Sequence, residues 1–184
     1  MRMKYPKPWL KTQSGSTFLR QIVETYRDLE VDSITVVLNK DFASPEWAEY
    51  LVEVAKLSKI VINHQPDWGR LFSIQLGLKS MDADHVFIHN VDNPFVNTQA
   101  IEFILSGAIA NGVTIPSHKG KGGHPILISR DITNTITGDI KGYNTLKDVL
   151  LDFPRKYVDL EQNTVLININ TPQDLQDLRY GSVG

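Results

Sequence analysis

His85-Val86-Phe87-Ile88-His89-Asn90-Val91-Asp92-Asn93-Pro94 decides the reading of this chain. The run His85 to Ile88 is short, apolar and bounded by turn residues, as a buried strand is. It stops at an Asp-Asn-Pro turn, and all three residue types favour turns. The Asp92 carboxylate then sits at the C-terminal mouth of a parallel strand. In open α/β sheets that mouth is where ligands bind. Downstream, Gly120-Lys121-Gly122-Gly123-His124-Pro125 brings exposed backbone and a cation to a loop that can face it.

Outward from this strand, β-branched runs alternate with segments of helical period. Thr17 to Leu29 carries Phe18, Leu19, Ile22, Val23 and Tyr26 as one apolar stripe. Ser33 to Leu38 reads as a strand. Ser44-Pro45 reads as an N-cap followed by proline at the first helical position, opening a helix through Trp47, Leu51, Val54 and Leu57. Lys59 to Asn63 is the next strand. Gly69 to Met81 is helical, with Leu71, Ile74 and Leu78 inward. Thr98 to Asn111 is helical, with Ile101, Ile104, Leu105 and Ala108 inward. The alternation predicts a Rossmann-like α/β fold with a mainly parallel sheet and helices on both faces. Val113 to Ile115, Pro125 to Ser129, Lys156 to Leu160 and Thr164 to Ile169 are strand-like and give the sheet a mixed edge. Short helices are expected over Thr145 to Leu151 and from Thr171-Pro172, where Asp174 is a capping-box partner.

A chain of 184 residues suits one domain with a sizeable core. No apolar run approaches the roughly 20 residues that cross a bilayer, and no h-region follows the basic start Met1 to Lys4. Zero cysteines exclude disulfides and thiolate metal sites, which fits a cytoplasmic protein. The net charge of −2, without a basic block, argues against nucleic acid as a main partner.

Asp92 suits a hard cation, because magnesium takes oxygen ligands and usually only one or two from protein. The same residue equally shapes a turn. The glycines of Gly120 to Pro125 let a ligand approach the main chain, with Lys119, Lys121 and His124 beside it, or simply make a solvated hairpin. Gly69 opens a helix whose N–H groups and Ser73 can face a base or phosphate. Asn168 and Asn170, alternate on a strand, would share a face and offer a carbonyl oxygen to a metal. His85 and His89 would stand roughly 13 Å apart along a strand, so they form no metal pair. Walker A, His-Glu-x-x-His and nucleophile-elbow patterns are absent.

In order and spacing these segments resemble the nucleotidyltransferases of molybdenum cofactor biosynthesis, which have a GT-A-like fold. The resemblance runs from Arg2 to about Leu178. Arg2, Met3 and Lys7 look like the tail of the family's N-terminal signature Leu-Ala-Gly-Gly-x-Ser-x-Arg-Met-Gly-x-x-Lys, with Lys4 where glycine is usual. Gly69, Ser73, Gly77 and Leu78 match its Gly-x-x-x-Ser-x-x-x-Gly-Leu helix start. Asp92-Asn93-Pro94-Phe95 matches Asp-x-Pro-Phe. Gly120, Gly123, His124 and Pro125 match Gly-x-x-Gly-His-Pro. Asn168 to Leu175 matches Asn/Asp-x-Asn/Asp-Thr-Pro-x-Asp-Leu. The resemblance implies Mg²⁺ on Asp92 with help from Asn168 or Asn170. It implies a triphosphate on Lys7 and Arg2, with a nucleotide near Gly69 and Ser73. The acceptor would lie near Gly123, His124 and Pro125.

The implied reaction moves a nucleoside monophosphate from an NTP, CTP or GTP, onto a phosphorylated small molecule of molybdopterin type. The upstream signature, its strand and its phosphate loop have no counterpart here. Two accounts compete, a start assigned at an internal Met and a degenerate member that rebuilt the sheet; the functional alternative is a catalytically degenerate nucleotide- or nucleotide-sugar-binding protein of the same fold. A GT-A-like sugar transferase is the weaker alternative, since Asp82-Ala83-Asp84 precedes its strand instead of ending it.

Overall fold

The computed structural model describes residues 5–179. Arg2 lies outside them. In chain order the elements are α1 (Phe18–Asp28), β1 (Thr35–Asn39), α2 (Ala48–Ala55), β2 (Lys59–Asn63), α3 (Gly69–Leu78), β3 (His85–Ile88) and α4 (Thr98–Ser106). There follow β4 (Val113–His118), β5 (Lys121–Gly122), β6 (Ile126–Ser129), α5 (Arg130–Thr137), α6 (Leu146–Leu150), β7 (Arg155–Asp159) and α7 (Pro172–Arg179). The α/β fold is present, with parallel and antiparallel pairs in the sheet. β1 pairs β2 and β4 pairs β7 in parallel, whereas β6 runs antiparallel between β3 and β4, and β5 folds back on β4. Among the described residues no helix is long and apolar enough to cross a membrane.

Several element ends fall where local chemistry puts them. The Thr17 side chain caps α1 by accepting from the Arg20 N–H at 3.2 Å. Thr145 and Asp148 close a full capping box on α6. Ser44 does not cap a helix. Its hydroxyl turns to the Glu46 carboxylate, Pro45–Trp47 forms a 3-10 turn, and the α-helix begins at Ala48. α4 ends at Ser106, and Leu105, expected inward, is 49% exposed because the helix presents that side to solvent. Thr164 to Ile169 is no strand. Asn163–Leu166 is a 3-10 turn, which directs Asn168 and Asn170 differently from strand neighbours.

No ladder joins β1 to β3, and β3, expected to be parallel, pairs among the described residues with antiparallel β6. Two helices bridge β1 and β3 from opposite faces. On one face, α1 packs Leu19 and Val23 with Val36 and Leu38 of β1, and Ile22 and Tyr26 with Phe87 of β3. On the other, Gly77 of α3 lies so close to Val37 that a Cβ would come within 2.9 Å of it, and Leu71 and Leu78 pack with Val86 and Ile88. Each strand alternates its side chains between these faces, which is why neighbouring residues serve different helices. α1 and α3 therefore each pack against both sheets, the two-stranded β1-β2 and the five-stranded one that contains β3.

The strands differ in how far they are laddered, and so in local stability. β4 is bonded on both sides, by β6 and β5 on one and β7 on the other. Among the described residues β1 and β3 are bonded on one side only. Native-state hydrogen exchange reads such differences. We expect the slowest amides in β4, with the unladdered amides of β1 and β3 exchanging at least ~10-fold faster. Equal protection in the three strands would contradict this difference in pairing.

Candidate active site

The turn after β3 is held from three directions. The Asn93 N–H closes it on the Asn90 carbonyl at 3.1 Å, and the Asp92 carbonyl accepts from the Ile169 N–H at 2.7 Å. Asn93 itself is fully buried. Its Nδ2 donates to the Val165 carbonyl at 3.1 Å and more weakly to the His124 carbonyl at 3.5 Å. The His124 N–H also donates to the Val165 carbonyl, at 2.9 Å. One amide thus ties the Asp92 turn, the Gly-rich loop and the 163–170 segment together.

Behind the turn sits His89. Its Nε2 lies 2.7 Å from the Asn93 carbonyl, which can only accept, so Nε2 carries the proton. Nδ1 then accepts from the Tyr26 hydroxyl at 3.0 Å. Burial raises the Tyr26 pKa well above its usual value, which keeps that hydroxyl protonated. Burial also lowers the His89 pKa to about 4, against a smaller upward pull from the Asn93 carbonyl. The ring is neutral at physiological pH and acts as a fixed strut.

On the open side, Lys7 bridges two of the predicted residues. Its Nζ lies 3.3 Å from Asp92 Oδ2 and 2.7 Å from Asn170 Oδ1. The second carboxylate oxygen, Oδ1, is buried without a hydrogen-bond partner. An ionised oxygen in that position is costly unless a charge faces it. Asn170 is presented by the cap of α7, where Asp174 Oδ2 accepts the Asn170 and Thr171 N–H groups at 2.7 and 2.8 Å. Lys7, Asp92 and Asn170 are therefore brought together. Asn168 is not. Its Nδ2 donates to the Leu166 carbonyl, and it lines a separate cleft of about 480 Å³ with His118, Lys119 and Lys121. That cleft includes neither Asp92 nor Lys7.

Two predicted glycines serve the backbone. Gly69 takes φ +86°, which favours glycine, and its N–H is used by the Pro66 carbonyl. It makes the turn into α3, leaving its N–H no free hydrogen-bond role. A Cβ on Gly123 would lie 2.2 Å from the Val165 carbonyl oxygen, so this residue permits close loop packing. Pro125 follows a cis bond and leads into β6. Ser73 accepts from Asn63 Nδ2 at 2.9 Å, and Asn63 is fully buried at the end of β2.

His124 and Arg70 complete the electrostatics. Burial and the charge of Arg70 lower the His124 pKa, and Asp92 pulls it back up. The Arg70 guanidinium is bonded by the Asn90 side chain. Partial burial lowers its pKa while Asp92 raises it, although the residue as a whole is solvent-exposed. Among the described residues Arg70 makes no ion pair, so most of its five donors are free for an anion. Arg70, Asn93, His89 and Asn63 are additions to the residues expected at the site from sequence. A cation directly after the Gly69 turn was the available signal for Arg70. The roles of the others depend on burial.

Residues 1–156 match the family described as the MobA-like NTP transferase domain. Among curated proteins the chain is similar to the molybdenum cofactor cytidylyltransferase of Escherichia coli (strain K12), 28% identical over 122 residues. The match covers 65% of this chain and spans 62% of that relative's length. Rv0371c of Mycobacterium tuberculosis superposes with TM-score 0.76 at 18% identity, over 96% of this chain and 90% of the other. Its manganese complex gives 0.72 at 18%, over 94% and 90%. Molybdopterin-guanine dinucleotide biosynthesis protein A of Archaeoglobus fulgidus gives 0.70 at 17%, over 98% and 92%. At these identities the structures speak for the fold.

The buried strut and amide generate two predictions. A neutral His89 with pKa about 4 must gain a proton on unfolding below its ordinary 6.5. Its contribution to stability is complete above pH 6.5, falls as pH drops towards 4 and levels below. The limiting loss is about 3 kcal/mol. Urea unfolding between pH 4.5 and 7.5 should show this slope, and His89→Gln should flatten it. An unchanged slope in the variant would refute the assignment. Asn93→Ala should cost about 1–3 kcal/mol in the same assay. A cost below ~0.5 kcal/mol, the level of an ordinary surface change, would show that the amide does not hold the loops.

Proposed function

We propose that this chain, which belongs to the MobA-like NTP transferase family, moves a nucleoside monophosphate from an NTP onto a phosphorylated acceptor. The observation that carries this reading is the Asp92 carboxylate, with one oxygen orphaned and the other turned to Lys7 beside the Asn170 carbonyl oxygen. A carboxylate and an amide oxygen are the hard donors that magnesium takes in small number from protein. The donor set fits Mg²⁺, with Asp92 and Asn170 holding it. Bound there, the ion would offset charge on the triphosphate as pyrophosphate leaves.

The chain's own residues set the geometry. An acceptor phosphate oxygen forms the new bond to the α-phosphorus, and the α–β bridging bond breaks to release pyrophosphate. Lys7 and Arg70 approach Asp92 from different segments, so they can hold the triphosphate and the acceptor phosphate against each other. Holding two anions in line is the main service such a site can offer. His124, kept neutral by burial and by Arg70, adds no repelling or competing charge. Ser73, fixed by Asn63 in the second turn of α3, would lie near the nucleotide. CTP is favoured as donor, because the similar Escherichia coli protein is a cytidylyltransferase. GTP is second, from the Archaeoglobus protein's guanine dinucleotide product. A molybdopterin-type acceptor fits both relatives' names.

Asp92→Asn tests the reading. With CTP, Mg²⁺ and molybdopterin, pyrophosphate release should fall by about 10² or more. The melting temperature should move little, because the lost ion pair with Lys7 is partly exposed, at 28% and 25%, and such pairs contribute at most about 1 kcal/mol. Wild-type turnover in that variant would overturn the assignment.

A further inference from the structure

The position of the Lys7 ammonium has a consequence beyond phosphate binding. Nζ lies against Asp92 Oδ2 and Asn170 Oδ1 at the same time. They belong to the two residues, Asp92 and Asn170, proposed above to hold the metal. Asp92 Oδ1 offers no second route, since it is buried away from solvent. A divalent ion arriving from solution must therefore meet the carboxylate on the face that Lys7 already covers. Magnesium binds oxygen at about 2.0–2.1 Å, closer than an ammonium. An ion on the same pair of oxygens would meet the ammonium charge at close range, so the two cations compete.

We infer that Lys7 is the resident counter-ion of the metal site and excludes free divalent cation until a triphosphate draws the ammonium away. This rests on the metal reading of Asp92 and Asn170. The fold supports a two-position Lys7. Its backbone is anchored in a 3-10 turn, Lys7–Trp9, with Trp9 fully buried against Trp47 and Tyr50. Its side chain is 28% exposed, and its hydrogen-bond partners among the described residues are the two oxygens. A triphosphate offers the ammonium several stronger acceptors, which frees Oδ2 and the Asn170 oxygen together. Metal and nucleotide then bind cooperatively, and the coupling is carried by one side chain.

Mn²⁺ titration without nucleotide, followed by electron paramagnetic resonance, tests this on the full chain. Wild type should bind Mn²⁺ weakly, and Lys7→Met should bind it at least 10-fold more tightly. Arg70→Met removes a positive charge facing Asp92 but vacates neither oxygen, and should change the affinity less than 3-fold. In wild type CTP should tighten Mn²⁺ binding, and in Lys7→Met that enhancement should shrink. Measurable and equal Mn²⁺ affinity in wild type and Lys7→Met would overturn this inference alone. Equal gains in the Lys7 and Arg70 variants would also overturn it, since general charge would then explain the effect. Absence of Mn²⁺ binding in every protein, with or without CTP, would overturn it together with the metal reading.

Discussion

The Asn93 side chain is the interaction on which the site depends. Three loops carry the candidate residues, and they come from distant parts of the chain. The Asp92 turn follows β3, the Gly123-His124 loop precedes β6, and the 163–170 segment precedes α7. The Asn93 amide donates into the second and third from within the first. His89, itself set by Tyr26, holds the Asn93 carbonyl from behind. A buried polar network of this kind fixes geometry because each unmade bond would carry a desolvation cost. It leaves Asp92 at the rim of a rigid platform, where its charge is available to solvent on one side only.

That one-sided exposure accounts for the electrostatics. The carboxylate has one orphaned oxygen inside and one oxygen outside, facing Lys7. Arg70 adds a second cation that no described carboxylate pairs. The nearby histidines are pushed towards neutrality by burial. Taken together, one anion is surrounded by mobile or under-used cations, which is an arrangement suited to phosphate groups that arrive with a metal. The nucleotidyltransferase chemistry of the family needs such a balance and little covalent participation from the protein.

The sequence exposed the parts governed by local chemistry. Hydrophobic period placed α1, α3 and β3 close to their observed limits, and the Asp-Asn-Pro signal placed Asp92 at the strand mouth. Lys7 and Asn170 met Asp92 although they stand at opposite ends of the chain, because the motif order preserved their relation. What failed was long-range. Thr164 to Ile169 has strand composition, yet it turns because Val165 is drawn under Asn93 and Gly123. That contact sends Asn168 to another cleft. Ser44-Pro45 carries a helix-start signal, but its hydroxyl prefers Glu46. The roles of Asn93 and His89 come from burial, and a single sequence carries no direct mark of which polar residues are buried.

The central claim is that Asp92 and Asn170 form one hard-oxygen site for a metal-bound triphosphate. The most direct measurement is a crystal structure grown with Mn²⁺ and a non-hydrolysable CTP analogue, using anomalous scattering to locate the manganese. The account predicts a single strong peak at ligand distance from the Asp92 carboxylate and the Asn170 side-chain oxygen, with phosphate oxygens completing the shell. Bound nucleotide with no anomalous peak at Asp92, or a peak held by other residues, would contradict it.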